Sequence, residues 1–212
     1  MQIELHHGDL PSSLTLGKVV AIDSETMGLQ IGRDRLCLVQ LCDGSDSVHL
    51  VKFAAPPPSA TAHGNARILA PNLAKLLTSP DHLKLFHFGR FDIAVMAKHL
   101  GVVATPVYCT KIASRLARTF TDKHGLKHLC KDLLNIELSK EQQASDWGRD
   151  SLTDEQMNYA AQDVIYLHRL QAILDEMLIR ENRRELATAS FDFLPHRAVL
   201  DNAGWPEDIF AH

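Results

Sequence analysis

The stretch KVVAIDSETMGL, residues 18–29, decides the fold. Val19, Val20, Ala21 and Ile22 form an uninterrupted apolar run, and residues 18–23 read as a buried strand. That strand runs into Asp23, and a carboxylate at the end of a buried strand requires a reason. In extended chain, positions i and i+2 face the same way, so Asp23 and Glu25 can share one cation or bracket two. Gly28 follows where the chain must turn. An Asp-x-Glu pair is weak by itself, because two solvated acids at a strand end explain it equally well.

Working outward, residues 36–42 (LCLVQLC) and 47–53 (SVHLVKF) read as two more strands, separated by the turn signal Asp43-Gly44-Ser45. APPPSATAHGN, 55–65, reads as a loop. A helix is expected over 71–78 and a strand over 83–88 (LKLFHF). A second helix follows over about 90–100, closed by Gly101. The second half is helical by spacing over 108–119, 125–135 and 153–187. The last of these carries Met157, Ala160, Ala161, Val164, Leu167, Leu170, Ile173, Leu174 and Leu178 on one broad stripe, and Thr153 with Gln156 resembles a capping box at its start. The tail, 190–212, holds apolar and aromatic residues without a period, and is expected to dock on its own domain or on a neighbour. The order of elements predicts an α/β fold with a mixed central β-sheet flanked by helices, as a single domain over 1–212.

Two further acidic positions join the first pair. In HFGRFDIAVM, 87–96, Asp92 falls in the first turn of a helix, where an acid also favours the helix dipole. In YAAQDVIYL, 159–167, Tyr159 and Asp163 are four apart and share a helical face among Ala160, Ala161, Val164 and Leu167. Each has an ordinary structural explanation alone. One chemistry explains all of them: two divalent cations about 3.5–4 Å apart clamp a phosphodiester. Hard Mg²⁺ or Mn²⁺ takes oxygen ligands, which four carboxylates supply, and a phenol nearby can position the attacking water.

At these residues the chain resembles the tyrosine-containing branch of the DEDD exonucleases, within the ribonuclease H-like, DnaQ-like superfamily, and ribonuclease D in particular. Asp23 and Glu25 match the first motif, Asp92 the second, and Tyr159 with Asp163 the third. CTKIASRLAR (109–118), GLKHLCKDLLN (125–135) and Ser145-Asp146-Trp147 follow in the family's order. The resemblance implies 3′→5′ exonuclease activity, with Asp23, Glu25, Asp92 and Asp163 holding two metal ions and Tyr159 orienting the water.

Only 49 residues follow Asp163, so the helical domains that ribonuclease D appends are not expected. HHGDLP, GLQIGRDRLCLVQL (28–41), HFGRFD and TKIASRLARTFTDKHGLK (110–127) resemble the nano-RNase C family, stand-alone ribonuclease-D-like enzymes. That likeness implies very short RNA, especially dinucleotides, as substrate, and a homo-octameric ring. An exonuclease acting on longer RNA or DNA is the alternative.

The charge balance argues for short substrates, or for a local basic patch beside an acidic site. The net charge is −4, whereas chains that track long nucleic acid are usually basic. Affinity for a dinucleotide cannot come from a long phosphate track and must come from stacking and a phosphate clamp. Leu29 stands where dinucleotide-specific relatives place a leucine between the two bases, although core packing explains it as well. Residues 109–131 are locally basic, with six Lys or Arg against the single acid Asp122. Lys111, Arg115, Lys123 and His124 are candidate substrate contacts there, joined by Thr26, His87 and Arg90. Arg90 stands beside Asp92 and has the alternative role of neutralising the acids.

His124 and His128 have the i, i+4 spacing of zinc helices, but no carboxylate completes that pattern. His6, His7 and His212 read as surface residues. The four cysteines have no CxxC spacing, and Cys37 and Cys42 read as core. No apolar run is long enough to span a membrane, and MQIELHHGDLPSS lacks a signal-peptide pattern, so a cytoplasmic location is expected.

Overall fold

The computed structural model describes residues 1–55, 67–139, 141–142 and 144–212. Six strands form one mixed sheet: β1 (Gln2–His7), β2 (Val19–Thr26), β3 (Leu36–Cys42), β4 (Ser47–Lys52), β5 (Leu83–Phe86) and β6 (Val107–Cys109). Their order is β1-β4-β3-β2-β5-β6. The β2–β3 and β3–β4 pairs are antiparallel, and the β1–β4, β2–β5 and β5–β6 pairs are parallel. Every residue of β3 is buried, as its continuous apolar run demands, and Gln40 is its only amide. The mixed sheet flanked by helices is the architecture expected from the element order.

Helix α1 (Pro71–Thr78) begins on Pro71, whose missing N–H costs nothing at a helix start. Helix α2 (Arg90–Leu100) ends at Gly101, whose φ of 75° is the left-handed cap that glycine adopts without strain. After β6 come α3 (Thr110–Ala117) and α4 (Leu126–Leu129), which continues into a π-helical turn, Cys130–Leu134, capped by left-handed Asn135. Helix α5 (Asp154–Ile165) opens on the expected capping box: the Gln156 N–H donates to Thr153 Oγ1 at 3.2 Å, and the Thr153 N–H to Gln156 Oε1 at 3.1 Å. Helices α6 (Leu167–Arg180) and α7 (Arg184–Asn202) complete the chain.

Several elements differ from the sequence reading. Strand β2 runs three residues further, through Thr26. The strand read over 83–88 stops at Phe86, because Phe88 takes a positive φ of 65°. Strands β1 and β6 were not expected: one is a polar edge strand, the other three residues that merge into a helical pattern. The helix read over 153–187 is three, broken at Tyr166 and at Glu181–Arg183, where Asn182 is left-handed. Its stripe is nonetheless buried at Ala160, Ala161, Val164, Leu167, Leu170, Leu174 and Leu178. Much of the tail is helix α7, which packs along α2 and carries Pro195 within it. The loop read over 55–65 lies, beyond Ala55, outside the described residues. All four cysteines are buried free thiols.

One buried cation organises the strands that lead to the site. Lys84 on β5 has no exposed surface, and its ammonium donates to the carbonyls of Ser79 (2.8 Å), His82 (2.6 Å) and Thr105. Burial pushes its pKa down to about 8. Lys84→Met would leave three inward carbonyls without a donor, and a loss of about 2–4 kcal/mol is expected in urea unfolding. A loss under about 1 kcal/mol would mean that water replaces the ammonium.

Candidate active site

Strand β2 presents Asp23 and Glu25 on one face, and a register shift between Glu25 and Thr26 turns the strand end over the cleft. Helix α5 lies on that same face and brings Tyr159 and Asp163 down onto it. Carboxylate oxygens of Asp23, Glu25 and Asp163 lie within 4.8 Å of one another. Asp92, in the first turn of α2, is buried and accepts a 2.6 Å hydrogen bond from the Ser24 hydroxyl. Gln40 Nε2 donates to Asp23 Oδ2 at 3.2 Å, which accounts for an amide in an otherwise apolar strand.

All four acids are raised, and in three of them neighbouring acids add to burial. Burial first, then Asp92, Asp163 and Glu25, hold Asp23 well above the carboxylate range. Glu25 is pushed up to about 9 by burial and by Asp163 and Asp92. Asp92 rises to about 7 by burial, against the pull of Ser24. Asp163 rises to about 7 by burial and by Asp92, against its hydrogen bond from Tyr159. Arg90 relieves none of this, because its guanidinium is bound bidentately to Asp201, at 2.7 Å for each bond, and to the Pro206 carbonyl. Hard oxygen donors, close together and favouring the protonated form through burial and, in three of them, neighbouring charge, fit divalent cations such as Mg²⁺ or Mn²⁺.

This arrangement fixes a pH dependence. Each acid has a native pKa above its unfolded value, so these four carboxyls hold more protons in the metal-free native protein than in the unfolded chain from about pH 4 to about pH 9. The stability these acids contribute therefore falls as pH rises through that window, and a cation that replaces those protons offsets the loss. The Tm gained on adding Mn²⁺ to chelator-treated protein should grow steadily from pH 5 to pH 9. A gain that is independent of pH would contradict the assignment of cation binding to these acids.

The site opens into a cleft of about 680 Å³. Its wall includes all five acidic and phenolic residues, and also Thr26, Leu29, His87 and Lys111. Leu29 is 83% exposed, which removes the core-packing explanation, and Met27 and Phe88 are half-exposed beside it. Lys111 Nζ lies 3.9 Å from the centroid of the Phe88 ring. His87 is driven down to about 3 by burial and then by Lys111, so its ring is neutral. Thr110 donates its hydroxyl to the Phe86 carbonyl, so His87 Nδ1 is the donor in their 2.9 Å contact and Nε2 is left with a lone pair.

The remaining basic candidates lie elsewhere. Arg115, Lys123 and His124 are not part of the cleft wall, and His124 Nδ1 is 2.9 Å from the Ser114 hydroxyl. Arg118 is buried against Asp132, and Lys131 pairs with Glu137. The segment instead contributes Lys127 and His128 to the wall.

Trp147 is a wall residue that sequence reasoning quoted without assigning a place in the site. Its ring lies 6.0 Å from Tyr159, and its indole N–H has no hydrogen-bond partner among the described residues. Gln156 Nε2 donates to Ser145 Oγ (2.9 Å) and the Asp146 carbonyl (3.1 Å), while Lys52 and Arg35 hold the carbonyls of Trp147 and Gly148. The Ser-Asp-Trp loop is thus pinned to the first turn of the helix that carries Tyr159. The polar character of Gln156 at a buried helical position was the signal that could have located it.

The 3′-5′ exonuclease family model matches residues 7–179. The chain belongs to the 3′-5′ exonuclease family. Ribonuclease D of Gluconacetobacter diazotrophicus is 34% identical over 181 residues, 85% of this chain and 43% of that protein. The exonuclease chain therefore spans about two fifths of the length of the curated ribonuclease D relatives it matches. Over its full length it is similar to the Brucella melitensis NrnC, or nano-RNase C, structures. The complex with pGG is 46% identical, with a TM-score of 0.90, and covers 100% of this chain and 99% of that one. The form with bound Mg²⁺ is 46% identical with a TM-score of 0.89, at 100% of both chains. The likeness to nano-RNase C read from the sequence thus extends over the whole chain, and the fold is the DnaQ-like exonuclease fold. Among the described residues no helix is long and apolar enough to cross a membrane.

Proposed function

We propose that this chain is a metal-dependent 3′→5′ exoribonuclease that hydrolyses very short RNA, above all 5′-phosphorylated dinucleotides such as pGpG, to nucleoside 5′-monophosphates. The observation that carries the proposal is the convergence of Asp23, Glu25 and Asp163 within 4.8 Å, beside exposed Leu29, in a cleft of about 680 Å³. That volume is typical of clefts for small ligands, roughly 300–1,000 Å³, rather than of a groove that tracks a strand. The full-length likeness to an NrnC bound to pGG points the same way.

Asp23, Glu25, Asp92 and Asp163 would hold the cations, two by the family resemblance, each Mg²⁺ or Mn²⁺. Bound divalent cations would supply Lewis acidity at the scissile phosphate and at the attacking and leaving oxygens. Burial, followed by the charges of Asp163, Glu25 and Asp23, pushes the Tyr159 phenol well above its ordinary value. It therefore keeps its proton across the working range, donates it in a hydrogen bond to Asp163 and offers its oxygen lone pair to orient water, rather than acting as a base. His87 Nε2 offers an acceptor to a sugar hydroxyl. Leu29, Met27 and Phe88 offer apolar faces to the bases, and Lys111, Lys127 and His128 offer charge or hydrogen bonds to the terminal phosphate.

Tyr159→Phe removes one hydroxyl and little volume. Turnover is expected to fall about a hundredfold with KM nearly unchanged, because the lost contact is made to the water. A raised KM at unchanged kcat would make Tyr159 a substrate-binding residue instead.

The tail supports assembly. Arg90 and Arg197 clamp Asp201, and Asn202 Nδ2 donates to the Ala94 carbonyl, which fixes α7 on α2. Phe193, Val199, Trp205, Ile209 and Phe210 remain exposed. Such apolar surface is costly on a lone chain, and a homo-oligomer is proposed, an octameric ring by the resemblance. Its mass in solution is expected near eight times the 23.6 kDa of one chain, and a mass near 24 kDa would overturn the assembly.

A further inference from the structure

A second cluster of ligating side chains lies at the far edge of the sheet. Glu4 and His6, two apart on edge strand β1, share a face, and in the parallel register Glu4 stands beside His49 of β4. His6 Nε2 is 3.1 Å from His49 Nδ1, and Glu4 Oε2 is 3.7 Å from that same nitrogen. The two rings stack with centroids 5.3 Å apart, and His49 is buried. His6, read from sequence as a surface residue, is thus partly buried in a cluster.

Three electron-pair donors therefore face one point. A proton on His49 Nδ1 can satisfy His6 or Glu4, but not both. A cation satisfies all three. The spacing suits one: a tetrahedral centre with metal–nitrogen bonds of about 2.0–2.1 Å separates its ligand atoms by about 3.3 Å. Burial and the neighbouring His49 lower the pKa of His6, which keeps its imidazole neutral as a ligand must be. We propose that Glu4, His6 and His49 form a binding site for a borderline transition-metal ion, Zn²⁺ or a similar ion, with a fourth position open to solvent. Two imidazoles and one carboxylate favour such ions over Mg²⁺. The ion would tie edge strand β1 to β4.

This site is separate from the acidic cluster. Glu4, His49, Leu41 and Ile22 form one row across β1, β4, β3 and β2. Asp23, next to Ile22, faces the opposite side of the sheet, about 14 Å away at three strand spacings.

The test uses chelator-stripped full-length chain titrated with Co²⁺ and Zn²⁺, with Asp163→Ala as a background that disables the acidic cluster. Expected are the intense visible absorption of one equivalent of tetrahedral Co²⁺ in both wild type and Asp163→Ala, apart from any weakly coloured Co²⁺ held by the acidic cluster, and its displacement by Zn²⁺ but not by excess Mg²⁺. In the Asp163→Ala background, His6→Gln and Glu4→Gln should weaken binding at least tenfold and abolish the Zn²⁺-dependent rise in Tm. Should His6→Gln fail to fold, Glu4→Gln and protection of wild-type His6 from diethylpyrocarbonate by Zn²⁺ carry the test. Equal affinity in the folded variants, no protection, or binding that disappears in Asp163→Ala overturns the proposal.

Discussion

Asp163→Ala and the isosteric Asp163→Asn are each expected to lower exonuclease turnover by about a thousandfold or more, because both remove an oxygen from the cation cage on which phosphodiester cleavage depends. The reason is positional. Asp163 is the one carboxylate that helix α5 contributes, and it stands within 4.8 Å of the Asp23 and Glu25 oxygens. Stability should move the other way. Asp163 raises the pKa of Asp23 and Glu25, so its removal relieves repulsion in the metal-free protein. Chelated Asp163→Asn should therefore melt at or above the temperature of chelated wild type at pH 8, while gaining less from Mn²⁺. Activity is read with a 5′-phosphorylated dinucleotide, and chelation of the wild type should reproduce the loss. A variant that keeps a tenth of wild-type turnover would place the reaction elsewhere.

The acidic residues were legible because burial makes charge conspicuous. Asp23 ends the apolar run of β2, and Tyr159 and Asp163 interrupt a helix face whose Ala160, Ala161 and Val164 are fully buried. Strand alternation and helical spacing then place them on shared faces without further information. The central strands were legible for the same reason: LCLVQLC is buried from end to end. Edge strand β1 was not, since its residues are exposed or half-buried and its partner β4 is distant in sequence. The breaks within 153–187 were invisible because the buried stripe continues across Tyr166 into a new helix, leaving the apolar pattern unbroken.

Basic residues were harder to place, because a long cation reaches in any direction and its partner is set by tertiary structure. Arg90 stands two residues before Asp92, yet it is held by Asp201, 111 positions along the chain. Arg118 sits in the same basic segment as Lys111 but is buried against Asp132, whereas Lys111 rests on Phe88 in the cleft. Phe88 itself gave no sequence signal. Its left-handed backbone, φ 65°, turns the strand end so that the ring enters the cleft, a strained conformation of the kind found at working sites.

Leu29→Ala is expected to cost about 10–30-fold in kcat/KM on a 5′-phosphorylated dinucleotide and little on a seven-nucleotide RNA, if Leu29 packs against the bases. An 83% exposed leucine has no packing to lose in the free protein, so the substitution should leave the Tm within about a degree. Burial of its side chain between bases would return about 1.5–2 kcal/mol, which is the stated factor in kcat/KM. A longer strand has further phosphates and bases with which to compensate, so its rate should change less. Wild type should accordingly turn over the dinucleotide faster than the seven-nucleotide RNA or a DNA duplex, and Leu29→Ala should narrow that gap. Equal wild-type rates on all three substrates would remove the dinucleotide preference while leaving the acidic site intact. An unchanged gap in Leu29→Ala would assign the preference to the phosphate contacts of Lys111, Lys127 and His128 instead.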